Sequence, residues 1–96
     1  MTDLGEHPAR YVPVRTVGGA QVLRLFRERD GARCAVEFSS VAALRALLGP
    51  DQEVAELTER ALRELTVPLG VEHIVLDPKL VAAATKGRRP AMAAAE

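Results

Sequence analysis

Between Phe38 and Pro50 the chain reads F-S-S-V-A-A-L-R-A-L-L-G-P, and within it an extended pattern gives way to a helical one. Cys34, Val36 and Phe38 alternate with Arg33, Ala35 and Glu37 as a half-buried strand does; Val41, Leu44 and Leu48 then recur at helical spacing. Ser39 or Ser40 caps the helix, because a hydroxyl there accepts an orphan amide hydrogen of the first turn, worth roughly 1 kcal/mol over alanine. Gly49 stops the helix and Pro50 forbids its continuation. A strand that feeds directly into a short helix fixes the fold class as mixed.

Upstream, residues 1–9 show no period and read as a leader. Tyr11 to Thr16 reads as a strand, and Pro13, which lacks a donor, places it at a sheet edge or turns the missing donor to solvent. Gly18 and Gly19 break the chain. Gln21 to Arg27 forms a second strand with Leu23 and Leu25 on one face and Val22, Arg24 and Phe26 on the other. Asp30-Gly31 is a hairpin signal, so the strand at about Ala32 to Phe38 runs antiparallel to the second.

Downstream, Asp51 and Glu53 place negative charge where the dipole of a second helix favours it. Val54, Leu57, Ala61, Leu62 and Leu65 fall on one face of that helix, with Glu56–Arg60 and Glu59–Arg63 as i,i+4 pairs outside. Thr66 to Gly70 breaks the pattern. Val71 to Leu76, with the apolar run Ile74-Val75-Leu76, reads as a strand inside the sheet. Asp77-Pro78 and Lys86-Gly87 then bracket a third short helix, Leu80 to Thr85. The expected architecture is α+β: a four-stranded mixed sheet in the order β-β-β-α-α-β-α, with helices packed on one face. One domain spans 10–86, and 87–96 is a tail.

Ninety-six residues build one modest core, burying roughly 60% of the unfolded surface. Hydrophobic residues are 48% and charged ones 27%, the profile of a globular chain, and the 3% of aromatics are too few for base-stacking platforms. Thirteen basic and thirteen acidic residues cancel, which leaves no global field toward nucleic acid or an anionic membrane. Lys86, Arg88 and Arg89 fall short of a basic stripe. The single Cys34 excludes an intramolecular disulfide, no signal layout opens the chain, and no apolar run reaches the ~18 residues of a membrane span. A cytoplasmic location follows as the expectation.

The reactive residues have local readings. Cys34 and His73, both on strands, are the one pair that could meet as thiolate and imidazole, but Cys34 shares the face of Val36 and Phe38, where a thiol is a small core hydrophobe. His73 faces solvent or a sheet rim. His7, His73 and Cys34 have no metal-ligand spacing. Ser39 and Ser40 lack a nucleophile elbow, and Gly18-Gly19 lacks the lysine of a phosphate loop. The acidic pairs Glu56 and Glu59, or Glu59 and Glu64, read as solvated surface. No catalytic residue, cofactor or metal is expected.

The order of features resembles the SseB-like family, that is, the N-terminal domain of the enhanced-serine-sensitivity protein and its small actinobacterial relatives. Tyr11-Val12-Pro13-Val14, Val36-Glu37-Phe38-Ser39-Ser40, Leu48-Gly49 and Val75-Leu76-Asp77-Pro78 carry it, over about residues 11 to 80. Asp77 stands where the family more often has asparagine. The resemblance implies an α+β fold and no established activity or catalytic residues. Abundant Arg, Ala, Val and Leu with few Lys and Ile suits a GC-rich actinobacterial genome.

A non-enzymatic domain that binds another protein is the expected function; the rival is an enzyme or small-ligand protein using Cys34 and His73. Leu23 and Leu25 are the better core residues, which leaves Val22, Arg24 and Phe26, with Tyr11 nearby, as the expected surface for a protein partner or a weak homodimer.

Overall fold

The computed structural model describes residues 8–83. The elements are β1 (Ala9–Val17), β2 (Ala20–Leu23), β3 (Phe26–Arg27), β4 (Arg33–Glu37), α1 (Val41–Leu48), β5 (Glu53–Thr58), α2 (Glu59–Thr66), a 3-10 turn (Val67–Leu69), β6 (His73–Leu76) and β7 (Ala82–Ala83). The class is α+β, but the strands make two sheets: one in the order β2-β1-β5 and one in the order β6-β4-β3-β7. A single bridge joins them, Tyr11 and Phe38 exchanging backbone hydrogen bonds of 2.9 and 2.8 Å.

The expected second strand divides at Arg24-Leu25. Its first half, β2, pairs with β1 in the first sheet, whereas β3 pairs antiparallel with β4 in the second. The hairpin closes as the Asp-Gly pair predicts: Gly31 takes φ 91°, and the Asp30 carboxylate accepts from Ala32 N–H at 2.9 Å. Pro13 is fully buried in the central strand of its sheet, not at an edge. The β1–β2 register ends at Val14↔Leu23, and Pro13 adds only a carbonyl that accepts from Arg24 N–H at 3.0 Å. The missing donor therefore falls where β2 leaves the sheet, so no ladder bond is lost.

The second helix is shorter than its spacing suggests. Residues Glu53–Thr58 form β5, because β1 carries backbone groups along Ala9–Val14 that β2 does not reach; β5 satisfies them in register from Ala9↔Thr58 to Val14↔Glu53. Thr58 then ends the strand and caps α2, its hydroxyl accepting from Ala61 N–H at 3.1 Å. Glu59–Arg63 forms as an i,i+4 pair at 2.9 Å; Glu56 lies on the strand, so Arg60 pairs with Glu64 instead. Leu65 is half exposed, not on the packed face.

The last strand is also placed differently. β6 runs parallel to β4 but lies at the edge of its sheet, not inside it. Among the described residues no helix follows Pro78: Asp77 adopts φ 51°, and Ala82–Ala83 pairs with β3. The end of the expected third helix at residues 84 and 85 lies outside the described residues, as do most of the leader, the tail and the basic cluster.

Two clusters form the core, one on each face of β4. Ala35 faces Val12, Val14, Leu62 and Val71, while Cys34, Val36 and Phe38 face Phe26 and Leu44. The helices therefore cover opposite faces of the second sheet, α2 on the Ala35 side and α1 on the Cys34 side. Among the described residues no helix is long and apolar enough to cross a membrane.

Candidate functional site

The segments Phe38-Ser39-Ser40 and Leu76-Asp77-Pro78, far apart in sequence, meet at the C-terminal end of the parallel pair β4–β6. Asp77 N–H donates to the Glu37 carbonyl at 2.7 Å, extending the ladder by one residue. The Asp77 carboxylate then accepts from Ser39 N–H and from the Ser39 hydroxyl, each at 2.9 Å. Those two bonds, backbone first, hold its carboxyl below the usual carboxylate range. Ser40, not Ser39, caps α1, its hydroxyl accepting from Ala43 N–H at 3.0 Å. At the other end Gly49 takes φ 114° and donates to the Arg45 carbonyl. The capping role expected of Asp77 is not taken up, since no helix follows Pro78 among the described residues; its carboxylate instead holds the turn at Ser39.

Beside this clamp runs a groove of about 340 Å³, lined by Phe38, Ala43, Ala46, Leu47 and the Asp77-Pro78-Lys79 segment. Its lining is mainly apolar, with Lys79 on it as a cation that makes no ion pair among the described residues. The groove continues from β6. The Asp77–Glu37 bond fixes the phase of the ladder, so His73 and Val75 turn their backbone groups to β4 and Ile74 and Leu76 turn theirs away. No hydrogen bond among the described residues uses those outward groups, and Leu76 is 45% exposed.

A second constellation is internal. The Glu37 side chain is 3% exposed and sits between Arg10 of β1 and Glu59 and Arg63 of α2. Its Oε1 lies 3.8 Å from Arg10 Nε, and neither atom has a hydrogen-bond partner. Burial, then the hydrogen bond and negative charge of Glu59, push the Glu37 carboxyl up to about 7 against the pull of Arg10 and Arg63. Glu59 moves the other way, held down first by its bond to Arg63 and then by Glu37. The alternation of β4 does point Glu37 away from Cys34, but nothing local announces that α2 will set Glu59 against it. Glu59, read from sequence as solvated surface, keeps 42% of its side chain exposed and also faces Glu37.

Cys34 and His73 do come together, as register partners across β4 and β6. Their chemistry is not that of an activated thiol. Cys34 is buried, and burial followed by the charge of Glu28 raises its thiol. The exposed His73 ring is tied through Nδ1 to Glu28 Oε2 at 2.5 Å, which raises it in turn. Charge on the imidazole is directed to a carboxylate, not to sulfur. Among the described residues no cluster of His, Cys, Asp and Glu could hold a metal ion.

The residues expected to form an interaction surface are dispersed. Phe26 is 1% exposed in the core, with the Arg24 guanidinium 5.0 Å from its ring centroid. Arg24 also bonds the Gln52 side chain, and Gln52 Nε2 donates to the Val14 carbonyl at 2.8 Å. Val22 remains exposed on β2, in the other sheet, and Tyr11 is spent on the bridge to Phe38. The strand break at Arg24-Leu25 is the reason: it turns Phe26 out of the face it would share with Val22. Compared with known proteins, the chain matches no family model, no curated protein and no solved structure.

Proposed function

We propose that this chain is a non-enzymatic, SseB-like domain of the cytoplasm that acts as an accessory module by binding another protein. One observation carries the reading: among the described residues nothing pairs with the outer edge of β6, which leads directly into an apolar groove. Side chains capable of chemistry are engaged in holding the fold, with Ser40 on α1, Ser39 on Asp77 and Cys34 in the core. The single, unpaired cysteine suits a reducing compartment.

A photo-crosslinking residue in place of the exposed Ala46 tests this in living cells, with the same residue at Arg60 on α2 as the control. Ala46 is expected to yield a discrete protein adduct that Arg60 does not. Equal labelling at both positions, or a metabolite retained in native mass spectra with no protein adduct, would sink the reading.

The rival keeps one observation of its own, the register pairing of Cys34 with His73. An enzymatic role there requires a reactive thiol, which alkylation measures directly.

A further inference from the structure

The open edge also says what kind of partner fits it. Ile74 and Leu76 each direct one N–H and one C=O outward, two residues apart, which is the spacing of a β-ladder and not of a helix or a loop. A polypeptide in extended conformation is the ligand that satisfies all four groups at once.

Side chains narrow the choice. Val75 packs into the α1-side cluster and Ile74 into the α2-side cluster, so Leu76, in phase with Ile74, emerges on the α2 side, while Asp77 and the groove lie on the α1 side. An added strand alternates across the same two faces. One of its side chains therefore lies against Leu76, and its neighbour is directed to the groove. At about 340 Å³ the groove has room for a side chain. Lys79, whose charge acts on the neighbouring Asp77 carboxylate but closes no ion pair among the described residues, adds a cation that can take a further carboxylate.

We propose that β6 is a strand-addition site whose occupant is an extended segment of another protein, with an apolar side chain for the groove and a carboxylate for Lys79. The inference rests on the protein-binding reading and commits it to one edge and one ligand chemistry.

The other edges lack this combination. β7 is two residues long, and β2 and β5 border the other sheet, away from the groove.

Panning a displayed random dodecapeptide library on the folded full chain tests the proposal. Enriched peptides are then synthesised and titrated against isotope-labelled protein. Alternating apolar residues with an acidic one are expected, along with slowed exchange of the Ile74 and Leu76 amides at saturation. Lys79→Glu is expected to weaken binding about five-fold, and Ala46→Glu to abolish it in a protein of unchanged circular dichroism. An empty selection overturns the site. Slowed amides on β2 or β5 instead also overturn it, yet leave the protein-binding reading standing; crosslinking at Ala46 decides that reading separately. If Ile74 and Leu76 slow with protein concentration alone, the occupant is a second copy and the proposal fails in that respect.

Discussion

Asp77 and Ser39 are joined by two hydrogen bonds of 2.9 Å each, and this pair ties the end of β6 to the start of α1. The backbone of Asp77 is at φ 51°, a region that aspartate and asparagine tolerate better than most residues. Geometry thus selects the residue twice, once for its backbone and once for its two acceptor oxygens.

Asp77→Ala is expected to lower the melting temperature clearly, because it removes both acceptors and leaves a strained backbone. Asp77→Asn retains one acceptor and the tolerated φ, so its loss is smaller. The stabilisation has a pH sign. A carboxyl held below its ordinary range stabilises the fold above that range and loses its contribution as pH falls through the lowered value. Melting curves at pH 6 and pH 3 check this: the gap between wild type and Asp77→Ala narrows in acid.

The boundary between β5 and α2 makes a separate prediction. Thr58→Ala removes the cap of α2 and is expected to cost about 1 kcal/mol. Asp51→Ala, at what would be the first turn of a longer helix, is expected to stay within about 0.5 kcal/mol. Chemical denaturation of the two variants distinguishes these cases. The reverse ranking would mean that the helix begins at Asp51.

Cys34 provides the test of the thiol reading. Burial and the nearby Glu28 carboxylate both disfavour a thiolate. Iodoacetamide at neutral pH should label folded protein at least tenfold more slowly than protein unfolded in urea. Faster labelling of the folded chain would favour the enzyme hypothesis.

Local signals in the sequence held where the deciding contacts are local. Val41–Leu48, its serine cap, the glycine stop and the Asp30-Gly31 hairpin depend on residues within a turn of each other, and each forms. Glu53–Thr58 did not, since a helical spacing of Val54, Leu57 and Ala61 competes with a demand set forty residues earlier by the unpaired edge of β1. Phe26 shows the same limit. Its burial follows from a change of sheet at Arg24-Leu25 that no turn residue marks. The clamp at Asp77 was visible only as a capping residue beside a proline, because its target, Ser39, is brought to it by parallel pairing across the sheet.

Glu37 sets the final prediction, because it joins β4 in one sheet to β1 in the other and to α2 through a single buried carboxyl. The fold raises this acid from its ordinary 4.5 to about 7, so it favours the protonated form. The contribution is then fully present below about pH 4.5 and lost as pH rises through about 7. By linkage that loss lowers the stability of the wild type toward alkaline pH. Protonated Glu37 can donate to Glu59, which Arg63 keeps ionised; two ionised carboxylates in the same place repel. Glu37→Gln removes the titration while preserving shape and a donor. Its stability by urea unfolding is expected to match wild type near pH 5 and exceed it near pH 8. The cluster should also loosen first in the wild type as pH rises, seen as faster amide exchange in α2 without a matching change in α1. If the two proteins keep a constant difference from pH 5 to pH 8, Glu37 does not titrate in this range and the acid pair is held together in some other way.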